Sequence, residues 1–404
     1  MNLLNRLSAI KAKKLQLLAE AKTYKPIGAV IDHLYSATEG SINGRRTILV
    51  GTNNYLGLTF NNECINANHH ATRNYGTGTT GSRLANGSYA DHAKLEEDLA
   101  EFYGVQNAML FSTGYMANLG MISSLVSNND TIVLDEHCHA SIYDGCKLSG
   151  ANIIHFRHNQ AEDLDKRLRR LGDKVKNTLI IAEGIYSMLG DRANLKELVT
   201  VKEKYGALLL LDEAHSLGVL GQTGRGLAEE MNIEDSVDFI TGTFSKSLAG
   251  IGGYCVSRHD ELSAIQYTSR PYIFTASPSP GTVASTRAAL KMIKQNPGLR
   301  QQLWENATYL YEGLAALGFQ LGPEISPVIA VNVGNREVAL SLWEKLFSRG
   351  VYVNVVLPPA TPDSSCLLRC SVSAAHTHAQ LDIVLDAFTH LQIDANTEQA
   401  TQTI

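Results

Sequence analysis

Five side chains able to act as acid, base or nucleophile each follow a short apolar segment of the sequence. They are His139, Glu183, Asp212, His215 and Lys246. A carboxylate at the edge of a core, as expected for Asp212, needs a cationic or hydrogen-bond donating partner. A helix cap, a structural ion pair or a protonated ring nitrogen of a ligand would each satisfy it. Lys246 is expected to be partly desolvated, which favours a nucleophilic amine.

The apolar segments before these residues indicate buried strands of a mostly parallel sheet. The segments are short, rich in Ile, Leu and Val, and mostly not alternating, as strands covered on both faces are. They are Thr131–Leu134, Ile153–Phe156, Thr178–Ala182, Leu208–Leu211 and Val237–Thr241. Helical patterns separate them, which is typical of an α/β domain with helices on both sides of the sheet. Because ligands bind beyond the carboxyl ends of such strands, we expect the five side chains to meet in one cleft.

The pattern changes near residue 280, after the prolines of Ser277–Pro280. Long helical stretches then surround short apolar segments, which predicts a second, smaller α+β domain. The helical stretches are Leu303–Leu317, Val338–Arg349 and Ala379–Leu391, and the apolar segments are Val328–Val333, Val351–Asn354 and Leu367–Val372. We predict an N-terminal helix and arm over 1–60, a large domain over 61–280, a small domain over 281–392 and a polar tail over 393–404.

Composition excludes several classes of protein. The formal net charge of -5 argues against nucleic-acid binding, which usually requires a basic face. The six cysteines form no C-x-x-C pair, so we expect a reducing, cytoplasmic location.

Apolar residues between Leu3 and Leu18 predict an amphipathic helix. Packing on a neighbouring surface is the favoured interpretation, and peripheral contact with the inner membrane is the alternative.

Two small-residue segments suit a phosphate group. Phe111–Asn118 reads as the start of a helix in which Gly114 leaves backbone N–H groups open to an anion. The hydroxyls of Thr243 and Ser245 lie close to Lys246 in the sequence and are further donors. Gly76–Arg83 lacks the G-K-[ST] ending of a P-loop, so we interpret it as a flexible loop.

These reactive side chains and phosphate-binding segments indicate a particular cofactor only when they are considered together. It offers a lysine for an imine, an acid for a pyridinium nitrogen, a histidine to cover a ring and donors for a phosphate. These are the requirements of pyridoxal 5'-phosphate (PLP). The competing interpretation is a metal site, since His137, His139 and Asp212–His215 contain common ligand types. No H-E-x-x-H or C-x-x-C spacing is present, however, and a metal would leave Lys246 unexplained, so we expect no metal.

Three motifs resemble the α-oxoamine synthases, a family of fold-type I PLP-dependent enzymes. They are Asn53–Leu58, Asp212–Ser216 and Gly242–Lys246, and the resemblance covers about residues 53–391. The family condenses an amino acid with an acyl-CoA and releases CO2. Finer matches resemble the members that use L-serine and palmitoyl-CoA to make 3-ketodihydrosphingosine, the first step of sphingolipid biosynthesis. These matches are Thr79–Arg83, Phe111–Gly120, His139–Cys146, Tyr186–Asp191, Arg270–Ser277 and Pro358–Pro362.

The resemblance implies a role for individual residues. Lys246 would bind PLP covalently and act as acid and base at Cα, Asp212 would pair with the pyridinium nitrogen, and His139 would stack on the ring. His215 would bond the ring hydroxyl. The other implied positions are Gly114, Tyr115, Thr243 and Ser245 for the phosphate, Thr275 and Ala276 for the phosphate of a partner subunit in a homodimer, and Arg369, Asn54 and Ser82 for the substrate.

One departure from the family pattern concerns the substrate carboxylate. Some relatives carry an arginine just before the Pro-Pro-Ala-Thr-Pro motif, whereas this chain has Leu357. The task then rests more heavily on Arg369 or another donor. Two alternatives stay open: a different pair of amino acid and acyl-CoA, such as glycine with acetyl-CoA or alanine with pimeloyl-CoA, and a non-catalytic scaffold subunit. The latter typically lacks the lysine that is present here at 246.

Overall fold

The computed structural model describes residues 3–20, 28–358, 360–361 and 365–401, with the backbone alone for 3, 13–20 and 392–401. The chain divides into two compact units. The large unit comprises Asn53–Ser187 and Asp191–Gln302, and the small unit comprises Met1–Thr52, Met188–Gly190 and Leu303–Ile404. Pro359 and Pro362 of the predicted substrate motif lie outside the described residues.

The strands and helices are numbered in chain order. The strands are β1 (Ile31–Leu34), β2 (Glu39–Ile42), β3 (Arg45–Leu49), β4 (Asn107–Phe111), β5 (Thr131–Asp135), β6 (Asn152–Phe156), β7 (Thr178–Glu183), β8 (Leu208–Asp212), β9 (Phe239–Thr243), β10 (Gly253–Ser257), β11 (Gln320–Leu321), β12 (Val328–Asn332), β13 (Val351–Tyr352), β14 (Asn354–Val356) and β15 (Leu367–Ser371). The helices are α1 (Leu3–Glu20), α2 (Asn62–Tyr75), α3 (Ala90–Tyr103), α4 (Gly114–Leu125), α5 (Ala140–Ser149), α6 (Ala161–Arg169), α7 (Leu195–Tyr205), α8 (Leu227–Glu230), α9 (Leu262–Ile265), α10 (Arg270–Ile273), α11 (Pro280–Gln295), α12 (Gly298–Ala316), α13 (Arg336–Ser348) and α14 (His378–Thr401).

The large unit is built on a seven-stranded sheet with the order β4-β10-β9-β8-β7-β5-β6. Strands β5 to β9 are parallel, and β10 is antiparallel to both β9 and β4. The predicted α/β class with a mostly parallel sheet is therefore confirmed. Residues such as Ile132, Ile181 and Leu210 are fully buried, as expected for strands with helices on both faces.

Strand β9 starts and ends two residues later than predicted. Val237 closes a short 3-10 turn instead, donating its N–H to the carbonyl of Glu234. At the other end, Gly242 and Thr243 continue the ladder because they pair with Tyr254 and Gly253 of β10. The strand thus extends to within three residues of Lys246.

The small unit contains two four-stranded sheets. One has the order β11-β12-β15-β14 and is antiparallel, and the other has the order β1-β2-β3-β13. In the second sheet β13 pairs in parallel with β3, so residues about 300 positions apart in sequence share a sheet. Helix α11, which starts at the predicted boundary near residue 280, falls in the large unit because it packs against α2 and α3.

Helix α1 forms where the N-terminal pattern predicted a helix. The described apolar side chains Leu4, Leu7 and Ile10 are 71%, 60% and 63% exposed, so these three do not pack on a neighbouring surface of the chain. None of the described helices is both long and apolar enough to cross a bilayer.

Candidate active site

The five side chains that the sequence singled out all line one cavity of about 260 Å³ in the large unit. The cavity lies at the carboxyl ends of the parallel strands, where β7 ends at Glu183, β8 at Asp212 and β9 at Thr243. The strand register sets Glu183 beside Asp212, and Asp212 beside Thr241. Residues far apart in sequence therefore share one site because parallel strands end at the same edge.

Asp212 is buried at the end of β8 and is held by two donors. The Asn118 side-chain amide donates to its Oδ2 atom at 2.7 Å, and the Ala214 N–H donates to Oδ1 at 2.9 Å. Asn118 itself is fixed, since it donates to Ser141 Oγ at 3.0 Å and accepts from Thr241 Oγ1 at 2.8 Å. Asn118 was given no role from the sequence, although it lies in the Phe111–Asn118 segment.

His139 caps the N-terminus of α5, and the Ser141 N–H donates to its Nδ1 atom at 3.2 Å. Burial lowers the pKa of His139, and the nearby Lys246 cation lowers it further while the Asp212 carboxylate opposes both. The neutral imidazole is therefore favoured near pH 7. A neutral ring suits stacking on an aromatic ligand.

Glu183 is a direct neighbour of His139. Its carboxyl group accepts a hydrogen bond from the backbone N–H of His139. Burial, together with the adjacent Asp212 carboxylate, raises the pKa of Glu183 well above its ordinary range. The cavity therefore has two neighbouring carboxyl groups, of which Glu183 favours the protonated form.

Lys246 follows β9 in a tight turn. The Ala249 N–H donates to the Lys246 carbonyl at 3.0 Å, and the Gly250 N–H donates to Phe244 at 2.9 Å. Gly252 closes the turn at φ 153°, and a Cβ there would lie 2.3 Å from the Phe244 ring, so glycine is required. The turn presents the half-buried lysine to the same cavity as Asp212.

A second group of residues that line the cavity suits an anion. Helix α4 begins at Gly114 and is capped by Thr113, which accepts from the Met116 N–H at 3.1 Å. The N-terminus of this helix and the hydroxyls of Thr243 and Ser245 line the cavity together. A Cβ on Gly114 would lie 2.7 Å from Thr243 Cβ, so only glycine permits this approach.

His215 also lines the cavity, and its Nδ1 atom is 2.7 Å from the hydroxyl oxygen of the fully buried Tyr55. Tyr55 belongs to the Asn53–Leu58 motif but had no role assigned from the sequence. The neighbouring Asn54 is buried and donates to Thr59 Oγ1 at 2.8 Å.

Several residues with implied roles lie elsewhere. Ser82 pairs with Ala276 in an isolated β-bridge of the large unit, next to Thr275, and none of the three lines the cavity. Arg369 lies on β15 of the small unit, where it is 5% exposed and its Nη1 atom donates to Ser371 Oγ at 2.8 Å. No metal-holding group of three or more His, Cys, Asp or Glu side chains occurs in the part of the chain that the structure describes.

A family model described as aminotransferase class I and II matches residues 45–388, which is most of the chain. The chain belongs to this family. A relative from Caulobacter vibrioides named serine palmitoyltransferase is 55% identical over 90% of this chain and 90% of its own length. A second, from Sphingomonas paucimobilis and of the same name, is 46% identical over 96% of this chain and 92% of its own.

The fold agrees with that of a solved family member. A high-resolution structure of SPT with the PLP internal aldimine superposes with a TM-score of 0.94, at 44% identity over 98% of this chain and 100% of that one. These comparisons confirm the resemblance to α-oxoamine synthases and the predicted cofactor, PLP.

The side chains around the cavity fit PLP by the chemistry of their donors. An amine (Lys246), a buried carboxylate (Asp212) and a neutral imidazole (His139) surround one part of the cavity. A helix N-terminus and two hydroxyls surround another, where a phosphate would be held. The glycine at 114 leaves the space that such a group needs.

Proposed function

We propose that this chain is a PLP-dependent acyltransferase that condenses L-serine with palmitoyl-CoA and releases CO2 and CoA. The product is 3-ketodihydrosphingosine, the first intermediate of sphingolipid biosynthesis. The observation that carries the proposal is the convergence of Lys246, Asp212 and His139 on one cavity of a chain that is 55% identical to a serine palmitoyltransferase. This complete set of reactive groups argues against a scaffold subunit.

Bound PLP supplies an electron sink for the electron pair released at the Cα atom of the amino acid. Lys246 would anchor the cofactor through its amine and would take the Cα proton on Nζ. Asp212 keeps the proton on the ring nitrogen, and the Asn118 and Ala214 donors hold its carboxylate in place. His139 would cover the face of the cofactor ring and would orient the serine carboxylate.

The remaining residues position the cofactor. Gly114 and Tyr115 offer their backbone N–H groups to the phosphate, and the hydroxyls of Thr243 and Ser245 complete its contacts. His215 donates to the ring hydroxyl, and its bond to Tyr55 fixes the orientation of the imidazole.

Three further assignments complete the proposal. Arg369 binds the serine carboxylate in place of the basic residue absent at Leu357, and Asn54 and Ser82 contribute on the substrate side. Thr275 and Ala276 reach the phosphate of the partner subunit, so the active form is a homodimer with shared sites. The six cysteines are all free and buried, which supports a cytoplasmic location.

A peripheral contact with the inner membrane is a separate proposal. It is supported by the exposed Leu4, Leu7 and Ile10 of α1, with Lys11 beside them. Sedimentation with anionic phospholipid vesicles tests it: replacing the three apolar residues by serine should abolish binding, and binding that persists would contradict it.

A substrate panel tests the reaction. CoA release is measured with L-serine, glycine or L-alanine, each combined with acetyl-, pimeloyl- or palmitoyl-CoA. We expect kcat/KM for L-serine with palmitoyl-CoA to exceed that of the other pairs by at least about tenfold, equivalent to about 1.4 kcal/mol. A preference for glycine with acetyl-CoA, or for alanine with pimeloyl-CoA, would replace this proposal by one of its alternatives.

Gly114→Ala is expected to weaken PLP binding. The added Cβ would collide with Thr243 and displace the start of α4. Loss of one charge-assisted hydrogen bond to the phosphate corresponds to about 1.5–3 kcal/mol, so we expect the Kd for PLP to rise by about 10- to 100-fold. Titration of the apoprotein with PLP, followed by absorbance, measures it.

The matched control is Gly298→Ala, because Gly298 is likewise the first residue of a helix, α12, and a Cβ there meets nothing within 4 Å. It should leave the Kd for PLP unchanged. If both variants bind PLP like the wild type, the phosphate is not held at the start of α4.

A further inference from the structure

A half-buried histidine outside the cavity is hydrogen-bonded to carboxylates through both of its ring nitrogens. His158 Nδ1 lies 2.9 Å from Asp135 Oδ1, and Nε2 lies 2.6 Å from Asp191 Oδ2. Ionised carboxylates only accept hydrogen bonds, so both ring nitrogens must donate and the ring is an imidazolium. The side chains of Asp135, Asp191 and His158 are 0%, 7% and 16% exposed, so this charge cluster is shielded from solvent.

The surroundings of His158 are consistent with that charge. Burial alone would lower the pKa of His158, but the hydrogen bonds to Asp135 and Asp191 outweigh it and raise the pKa to about 9. His137 stacks on His158 with ring centroids 3.9 Å apart, and burial, followed by the charge of His158, lowers its pKa. Tyr186 presents its ring edge-to-face at 4.5 Å. The backbone N–H of His158 donates to Glu136 at 3.2 Å.

The cluster ties together the loops that follow three strands of the sheet. Asp135, at the end of β5, accepts the backbone N–H groups of His137 at 2.8 Å and Asn159 at 2.9 Å. Asn159, after β6, donates through its side-chain amide to the Arg192 carbonyl at 2.8 Å. Asp191, which follows β7 in the chain, completes the set through His158.

The loop held by this cluster carries His139. Asp135 and His139 are the two ends of a five-residue segment, 135–139, which connects β5 to α5. One end is fixed by His158 through Asp135, the middle by the stack of His137 on His158, and the other end by the bond from the His139 N–H to Glu183. His158 therefore contacts this segment at its start, through Asp135, and in its middle, through His137.

We propose that His158 is a positioning residue that fixes segment 135–139 and thereby holds the His139 imidazole against the cofactor. The inference rests on the proposed function only in assuming that His139 faces PLP. His158 itself is not among the residues that line the cavity. Its effect is therefore expected in the orientation of the bound cofactor and in kcat, not in substrate affinity.

The test compares His158→Gln with wild type in the PLP-loaded enzyme. Glutamine removes the positive charge, so segment 135–139 loses its anchor. We expect the circular dichroism of the bound PLP absorption band to fall by about half or more. We also expect kcat to fall at least about fivefold, while KM for L-serine changes less than about twofold. His158→Lys retains a cation and should recover most of both signals.

The matched control is His259→Gln. His259 also pairs with a carboxylate, Asp238, at 2.9 Å in the same unit and, like His158, does not line the cavity, but its partner lies outside segment 135–139. It should leave the PLP dichroism unchanged. If His158→Gln behaves like this control, or loses thermal stability while keeping normal PLP dichroism, the positioning role is refuted. If His158→Gln fails to fold, Asp191→Asn, which weakens the same anchor, is judged by the same criteria.

The pH dependence of stability gives an independent measurement. A histidine whose pKa is raised by folding contributes stability that is fully present below its unfolded pKa of about 6.5 and is lost as the pH rises through about 9. The difference in Tm between wild type and His158→Gln should therefore narrow from pH 7 to pH 10. A constant difference would refute the imidazolium. The dichroism of bound PLP and the pH dependence of Tm do not require a working substrate. These two measurements would therefore decide the proposal even if the enzyme proved inactive on L-serine.

Discussion

Lys246→Ala is expected to lower kcat for CoA release by at least about 10⁴-fold, since one change removes both the anchor of the cofactor and the base at Cα. Among the described residues that line the cavity, no other side chain carries an amine that could replace Lys246. Borohydride reduction followed by peptide mapping measures the covalent link directly: wild type should carry the pyridoxyl label on the peptide containing Lys246, and the variant should carry none.

Lys204→Ala is the control for this experiment. Lys204 lies on α7 of the same unit, is 59% exposed and pairs with Asp165 at the surface. Its replacement should leave both the label and kcat within about twofold of wild type, as expected for an exposed ion pair. A label on any residue other than Lys246 would overturn the assignment of the site.

Asp212→Asn is expected to lower kcat by about 10²- to 10³-fold, which corresponds to the loss of one preorganised electrostatic contact of about 2.7–4 kcal/mol. A neutral amide does not hold a proton on the ring nitrogen as a carboxylate does. The substitution preserves shape, so PLP should still be attached to Lys246. Exchange of the Cα proton of L-serine in D2O, followed by NMR without acyl-CoA, should slow by a similar factor.

The control for this substitution is Asp238→Asn. Asp238 is also a buried carboxylate of the large unit, and it pairs with Lys202 at 2.9 Å outside the cavity. We expect this variant to lose stability while its kcat and its exchange of the Cα proton stay within about threefold of wild type. Full activity of Asp212→Asn would remove Asp212 from its proposed role.

Strands β5 to β8 could be predicted because each is a continuous apolar segment followed by a polar residue. Strands β4 and β10 were missed, since Asn107–Phe111 and Gly253–Ser257 contain polar or small residues instead of a continuous apolar segment. They pair with each other as antiparallel neighbours, and this pairing joins residues that lie more than 140 positions apart in sequence. A local pattern does not contain that information.

The active-site residues also divide into those that a local pattern reveals and those that depend on contacts between remote parts of the sequence. Lys246, Asp212 and His139 were found because their residue types are reactive and they follow predicted strands. Asn118 and Tyr55 were not, because each acts through a partner remote in sequence: Asn118 bonds Asp212 from 94 residues away, and Tyr55 bonds His215 from 160 residues away. Neither residue is reactive by type, and only the folded register brings the pairs together.

The parallel pairing of β3 with β13 has a consequence for biosynthesis. Ile48 pairs with Val351, so the edge of β3 has no β13 partner until about 300 further residues have left the ribosome. At a rate of about 5–20 residues per second, that interval is about 15–60 s. Synthesis of the large unit, whose last residue is Gln302, is completed within that interval. Until β13 is synthesised, the hairpin of β2 and β3 exposes the unpaired edge of β3. We therefore expect mispairing of the nascent chain at this edge rather than in the catalytic unit.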